Sequence, residues 1–222
     1  MFGVLAVRAS AIPLIRDYVS TRSAISFFIF ESISAPTTSL SHFIKKGKAG
    51  GTPTSTNKDY YGGEIPFLSI NDITEQGKYI NYTERTLTQS GIEDSSAWIV
   101  PKNSVIFSMY ASVGLVTINA ILLATSQAMF AMILKNPKLT DFLYYFLSYF
   151  RYRHIYKYLE TGTQSNINAE IVRSIPVPNL DVDNCINIGK TLSLIDNKLS
   201  IEKTTLKLLL AQKQFLLHKL FI

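Results

Sequence analysis

The end of the chain carries its strongest structural signal, because residues 183–222 read DNCINIGKTLSLIDNKLSIEKTTLKLLLAQKQFLLHKLFI. The stretch contains no proline and a single glycine, Gly189, and Asp183 is a residue type suited to cap the start of a helix. Apolar residues recur at alternating steps of four and three, which is the heptad pattern of a coiled coil. The apolar positions of this seam are Ile188, Leu192, Ile195, Leu199, Leu206, Leu209, Leu216 and Leu220.

A helix of this length cannot bury its apolar seam against one small domain. At about 1.5 Å per residue it would be on the order of 60 Å long. Glu202 and Lys213 occupy the two remaining seam positions, where polar residues fix register and partner choice at some cost in stability. The sequence therefore predicts that residues 182–222 form a helical spacer that pairs with another helix, in this chain or in another one.

Residues 39–181 have the pattern of one α+β domain, with a curved mixed β-sheet and helices. Short β signals occur at 65–70, 79–82, 97–100, 104–110, 114–119 and 129–134, and Pro66 confines the first of them to a sheet edge or a strand start. Residues 139–159 predict a long aromatic helix and residues 171–178 predict extended chain. The glycine pairs at 50–51 and 62–63 predict turns.

The N-terminal segment, residues 1–38, shows no clear period and stays unassigned. Its sequence SAPTT at 34–38 predicts a loop. Two explanations are open: a marginal helix or strand that packs on the domain, or a start codon placed upstream of the true domain.

Composition indicates an ordered globular protein, since 47% of the residues are hydrophobic and 17% are charged. The net charge of +6 suits a polyanionic partner, although many unrelated proteins are also basic. Residues 39–181 carry 13 basic and 11 acidic side chains, so any contact with DNA there requires local clusters of charge.

Several classes of site and location are disfavoured. Residues 103–134 carry no charge, but their polar interruptions and alternating pattern favour a buried sheet over a membrane span. The single cysteine, Cys185, excludes an intrachain disulfide and is compatible with a cytoplasmic location, which we expect. The three histidines lie far apart, so no metal site is expected. We also expect no catalytic site, because no nucleophile elbow or paired acid motif is present.

Five motifs in a fixed order carry a resemblance to a known family. They are GGTP at 50–53, YYGGEIPF at 60–67, GTQSNI at 162–167, IPVP at 175–178 and LIDNK at 194–198. Together with the heptad helix they make residues 39–222 resemble the specificity subunit of type I restriction-modification systems.

The resemblance implies a target-recognition domain that reads one half of a split DNA site, and a helix that sets the distance to the other half. It also implies docking to a methyltransferase (modification) subunit and assembly with a restriction subunit. S-adenosylmethionine and ATP are then expected on those partner subunits, with no cofactor in this chain. Such subunits usually carry two recognition domains, and this sequence has one. Either two copies pair, or the chain is a truncated or recombination-reservoir copy.

Candidate DNA contacts combine cations and amides for phosphates with hydrogen-bonding side chains for base edges. Four groups of residues qualify: Lys45, Lys46 and Lys48 with the turn Gly50, Gly51 and Thr52; Tyr110 and Ser112 between two strands; Arg151, Arg153 and Lys157 along one side of the aromatic helix; and Thr163, Gln164 and Asn166 in a polar loop. Each group has an ordinary alternative, such as a solvated basic turn, a packed aromatic helix or a self-capped loop.

Two non-enzymatic functions therefore compete. The leading hypothesis is sequence-specific binding of double-stranded DNA within a methyltransferase complex. The other is an assembly scaffold that uses the C-terminal helix alone and has no independent DNA binding.

Overall fold

The computed structural model describes residues 25–158 and 166–220. The chain is divided into two compact units. One is Ile33–Gly189, and the other consists of Met1–Ser32 and Lys190–Ile222. The predicted α+β class is confirmed, since mixed sheets and short helices precede one long C-terminal helix. The predicted limits of the recognition domain, residues 39–181, refer to function and therefore stay a prediction.

Short strands and helices alternate along the described residues. The strands are β1 (Thr37–Ser39), β2 (Ile44–Ala49), β3 (Tyr61–Leu68), β4 (Tyr79–Ile80), β5 (Arg85–Leu87), β6 (Ile99–Val100), β7 (Val105–Ser108), β8 (Val116–Asn119), β9 (Leu123–Thr125), β10 (Met129–Leu134) and β11 (Pro176–Pro178). The helices are α1 (residues 25–31), α2 (Ile70–Gln76), α3 (Gln89–Glu93), α4 (Thr140–Arg153), α5 (Ala169–Ser174) and α6 (Val182–Leu220). Short 3-10 turns lie at Leu40–Phe43, Lys58–Tyr60, Pro137–Leu139 and Ile155–Tyr158.

Two mixed sheets form the body of the unit Ile33–Gly189. The larger has the strand order β2-β10-β7-β8-β4 and is antiparallel except where β4 meets β8. The smaller has the order β5-β3-β9-β6, with a parallel pair at β3 and β9. The uncharged run at 103–134 supplies β7 to β10, which are almost wholly buried, so the buried-sheet prediction is confirmed. No helix within the described ranges is long and apolar enough to cross a membrane.

A buried carboxylate organises the start of α2. Asp72 is 1% exposed, and it accepts hydrogen bonds from the backbone N–H and hydroxyl of Ser69 at 2.8 and 2.7 Å. Its other oxygen accepts from the N–H of Glu84 at 2.9 Å. This arrangement both closes a capping box on α2 and holds the segment that leads into β5.

The first turns of α6 pack within the same unit. Asp181 caps the helix, because its Oδ1 accepts from the N–H of Asn184 at 2.8 Å, so the prediction that Asp183 is the cap was wrong. Cys185 is buried, and this burial, more than the nearby Asp181 carboxylate, raises the pKa of its thiol to about 11. Gly189 lies so close to α4 that a Cβ there would meet the backbone nitrogen of Phe142 at 2.7 Å.

Two predictions around β3 were wrong. Pro66 does not lie on an edge strand, because β3 runs between β5 and β9. The strand tolerates proline there because pairing with β9 begins only at Phe67. Gly62 and Gly63 do not form a turn either, since they lie within β3 at a bulge where Tyr61 and Ile65 both register with Leu87.

Other predicted bounds also shifted. The aromatic helix ends at Arg153 instead of residue 159, because His154 leaves helical geometry and a 3-10 turn follows. Residues 171–174 are helical in α5, and only Pro176–Pro178 is extended. Thr37 and Thr38 were expected in a loop, but they pair with β11. Residues 25–31 are helical, so a helix and a strand both occur in the described part of the N-terminal segment.

The glycine pair at 50–51 allows a close approach of two backbones, which gives a testable prediction. A Cβ on Gly50 would overlap the carbonyl oxygen of Thr125, a backbone atom that cannot move aside. We expect Gly50→Ala to lower the free energy of unfolding by about 3 kcal/mol, measured by urea denaturation.

The matched control is Gly62→Ala. Gly62 has open space around it and a φ of 79°, so only backbone strain opposes the new side chain and the expected loss is about 1 kcal/mol. Equal losses for the two variants would contradict the proposed packing.

Candidate nucleic-acid interface

Four surface segments that are distant in sequence meet at one place in the unit Ile33–Gly189. We call them the loop cluster, which consists of residues 50–52, 109–115, 126–128 and 166–168. Backbone hydrogen bonds connect them: Gly50 N–H to Met129 O, Gly51 N–H to Thr125 O, Met109 N–H to Ala128 O, and Ile167 N–H to Met109 O, over 2.7–3.1 Å. Segments from three of the four predicted groups of contacts therefore adjoin one another.

No turn occurs at residues 50–52, so the turn predicted for the glycine pair at 50–51 was wrong; the segment directly follows β2 and is held by neighbouring backbone. Gly50 and Gly51 are buried and donate both amides to backbone carbonyls, so the expectation that these amides are presented to a phosphate was wrong as well. Thr52 is exposed, and its hydroxyl is hydrogen-bonded to Oε1 of Gln127. This part of the surface therefore presents Thr52 and Gln127 instead of two free amides.

The turn between β7 and β8 is the most constrained member of the cluster. The buried hydroxyl of Ser108 donates to Ser112 O at 2.5 Å and accepts from the N–H of Leu115 at 2.8 Å, closing the turn across its base. Ala111 has a φ of 61° and Gly114 a φ of 85°, both in the left-handed region. Tyr110 and Ser112 are exposed at the tip.

Arg151 lies against this turn. Its Nε donates to Val113 O at 3.2 Å, and a Cβ on Gly114 would meet its Cγ at 2.6 Å. The side chain as a whole is exposed, but the part over the turn is covered, and that burial lowers the pKa of Arg151. Arg151 therefore joins α4 to the loop cluster.

The three lysines lie on β2, directly before the segment 50–52. They are exposed on an edge strand, where charge also discourages pairing with other chains. Lys46 Nζ lies 4.9 Å from the centre of the Trp98 ring, and Lys48 Nζ is 3.4 Å from Ser96 O. Lys45 is the extra residue of a bulge against β10.

The three cations predicted along one side of the aromatic helix do not share one helical face. Helix α4 ends at Arg153, and Lys157 lies in the 3-10 turn that follows. Both residues are exposed, and the rings of Tyr152 and Tyr156 beside them are 77% and 64% exposed. The other six aromatic residues of α4 are all buried, which confirms that the helix serves mainly as core.

The polar loop is only partly described. Thr163 and Gln164 lie outside the described residues. Asn166 is half-buried beside Ile167, and Asn168 caps α5 by accepting from the N–H of Ile171 at 2.9 Å.

Sequence reasoning missed two side chains of this surface. Gln127 lies in the uncharged run and was not named as a candidate contact, although a polar residue between two strands indicates a turn. Trp98, half-buried beneath Lys46, gave no signal, because its lysine partner is distant in sequence.

Helix α6 presents more apolar surface than its heptad seam. In the seam, Leu192 is 3% exposed, whereas Leu206, Leu209, Leu216 and Leu220 are 37%, 56%, 47% and 73% exposed. A second apolar stripe, which the sequence analysis missed, repeats every seven residues. Its members are 61–70% exposed: Leu194, Ile201, Leu208 and Phe215. Ile188, Ile195 and Leu199 are half-buried. No group of three or more potential metal-ligating residues occurs in the described part of the chain.

Ser108 gives a test of how the turn at 109–115 is held. Ser108→Ala removes both hydrogen bonds of this hydroxyl and leaves Ser112 O and the Leu115 N–H only their mutual bond at 3.3 Å, so we expect the free energy of unfolding to fall by about 1 kcal/mol. Hydrogen exchange of the Leu115 amide should accelerate as well.

Thr125→Val is the matched control. Within the described residues its buried hydroxyl has no hydrogen-bond partner, so removing it should change stability by less than about 0.5 kcal/mol. A larger loss for Thr125→Val than for Ser108→Ala would refute this account of the turn.

Comparisons with known proteins agree with the geometry. A family model described as "Type I restriction modification DNA specificity domain" matches residues 37–211. The MjaIX specificity subunit of Methanocaldococcus jannaschii is 26% identical over 159 residues, covering 69% of this chain and 36% of that protein. The HindI specificity subunit of Haemophilus influenzae is 30% identical over 119 residues, covering 54% and 26%. The aligned part is thus about a third or less of these relatives.

Solved structures share the fold. The HsdS subunit from Thermoanaerobacter tengcongensis has a TM-score of 0.63 at 14% identity, over 91% of this chain and 49% of that one. The S subunit from M. genitalium has a TM-score of 0.56 at 16% identity, over 86% and 46%. Because the family model spans most of the sequence, this chain belongs to the type I restriction-modification specificity-subunit family.

Proposed function

We propose that this chain is the non-catalytic DNA-reading part of a type I restriction-modification complex and that it contacts one half of a bipartite target. The observation that carries the proposal is the loop cluster, in which four separate segments rich in hydrogen-bonding groups adjoin one another. A surface that reads bases needs such groups in a fixed arrangement.

Two kinds of contact are assigned. Lys45, Arg153 and Lys157 are exposed cations suited to phosphate oxygens, which position a protein on the duplex without reading its sequence. Tyr110, Ser112 and Gln127 carry hydroxyl and amide groups suited to base edges. Asn166 belongs to the same set, and Thr163 and Gln164 stay in it as predictions.

Helix α6 is proposed to dock the methyltransferase subunit and a second specificity half, either another copy or another chain. The seam and the second stripe are different faces of one helix, so α6 can serve two helical partners at once. S-adenosylmethionine and ATP would bind to the partner modification and restriction subunits and not to this chain.

An assembly scaffold is the second candidate, because the exposed stripes of α6 favour it independently of the loop cluster. In that case association would persist while DNA binding by the complex would not depend on this chain.

Salt dependence separates the two candidates. In the complex with the cognate modification subunit, Lys45→Gln and Lys157→Gln should each weaken duplex binding and reduce the slope of log affinity against log salt by about 1. Lys207→Gln removes the same charge from an exposed position on α6, which is not assigned to DNA contact, and should leave the slope unchanged. If all three variants match the wild type, the scaffold explanation is correct.

Docking by α6 is tested by charge on the second stripe. Ile201→Glu/Leu208→Glu should weaken association with the modification subunit at least tenfold, because burying a carboxylate in an apolar helix interface is costly. The control pair Lys207→Glu/Gln214→Glu has the same spacing on the exposed polar side of α6, away from both stripes, and should associate normally. The mass of the complex in solution is the measurement, and equal masses for both pairs would contradict docking through this stripe.

A further inference from the structure

The turn at 109–115 adopts a shape that its own sequence does not favour. Ala111 has a φ of 61°, which L-residues other than glycine, asparagine and aspartate adopt reluctantly. Such a backbone persists only where the surroundings enforce it, and positions of this kind concentrate at functional sites. The contacts around the turn must therefore supply the constraint.

The base of the turn is fixed by neighbouring backbone. Met109 donates to Ala128 O at 2.7 Å and accepts from the N–H of Ile167 at 3.1 Å. Ser108 O accepts from the N–H of Gly114 at 2.9 Å, in addition to the two bonds of the Ser108 hydroxyl. These bonds hold the two ends of the turn and the carbonyl of Ser112, whereas the carbonyl of Val113 is held from outside the turn.

Arg151 provides this support from outside the turn. Its aliphatic stem covers Gly114, where a Cβ would meet three of its carbons at 2.6–3.2 Å, and its Nε is bonded to Val113 O. The side chain is thus laid across the turn. Only the tip, with the side chains of Tyr110, Ala111 and Ser112, is left exposed.

We infer that Arg151 is a positioning residue, which holds the turn at 109–115 so that Tyr110 and Ser112 meet base edges, and that it is not a phosphate contact. The inference rests on the proposed function and refines it, because Arg151 was one of the cations predicted to meet DNA. It divides the basic residues of this surface into those that set affinity and one that sets specificity.

The lowered pKa of Arg151, caused by burial, agrees with a side chain committed to the protein surface. Lys157 is exposed like Arg151, but its Nζ lies 5.9 Å from the Tyr156 ring beside α4 instead of across the turn at 109–115. The two cations should therefore respond differently to substitution.

The experiment compares two duplexes and three variants in the complex with the cognate modification subunit. One duplex carries the motif found methylated when the wild-type complex acts on genomic DNA, and the other carries the same bases scrambled. The variants are Arg151→Ala, Arg151→Lys and Lys157→Gln, and each affinity is measured over a series of salt concentrations.

We expect both Arg151 variants to reduce the preference for the motif duplex about tenfold or more, with an unchanged salt slope and unchanged affinity for the scrambled duplex. Lysine should not rescue, because it keeps the charge but lacks the planar group that bonds Val113 O. Lys157→Gln should instead weaken both duplexes equally and lower the slope by about 1.

The inference is overturned if Arg151→Ala weakens both duplexes equally with a lower slope, or if Arg151→Lys restores the wild-type preference. Should Arg151→Ala fail to fold in a thermal melt, the lysine variant alone decides between the two roles. A wild-type complex without any preference for its methylated motif would overturn the proposed function, and this inference with it.

Discussion

The close approach of two backbones at Gly50 and Gly51 is the constraint on which the rest of the surface depends. Both glycines are buried, and a side chain at either would overlap backbone atoms of the segments beside β9 or β6. Because of this contact β2 ends directly against the turn that joins β9 to β10, and that turn is bonded in its own right to Met109. The lysines of β2 and the constrained turn at 109–115 therefore belong to one surface.

Local sequence predicted several elements but neither all of them nor their ends, since β2, β5, β9 and the short helices α2, α3 and α5 were missed. Alternating apolar residues predicted β7, β8 and β10, since burial of a sheet leaves a direct mark on composition. The end of α4 left no such mark, because it depends on packing: the His154 ring lies against Tyr149 and Phe150 as the backbone departs from the helix. Pro66 misled for a related reason, since proline excludes a hydrogen bond on one side of a strand only, and β9 pairs one residue later.

The sequence named some residues of the candidate surface, but it did not predict their arrangement. Glycine, lysine and hydroxyl side chains indicated Thr52, Tyr110 and Ser112, but their mutual contacts run through backbone atoms of Met109, Thr125 and Ala128. Backbone bonds between distant segments have no residue-type signature. For the same reason the sequence did not reveal that the amides of Gly50 and Gly51 donate to backbone carbonyls of Met129 and Thr125.

Under the proposed function, helix α6 and the turn at 109–115 would be prepared for their partners in opposite ways. The helix keeps apolar stripes exposed on a regular backbone, so its free energy of association comes from burial and any helix of matching pattern can contribute it. The turn keeps few exposed atoms, but it holds an unfavourable backbone in place before any partner arrives. Pre-organisation of this kind lowers the entropic cost of binding, and a wrong base cannot be accommodated by a turn that does not adjust. In the proposed function, strength of assembly and selectivity of reading would thus depend on different physical effects in different parts of the chain.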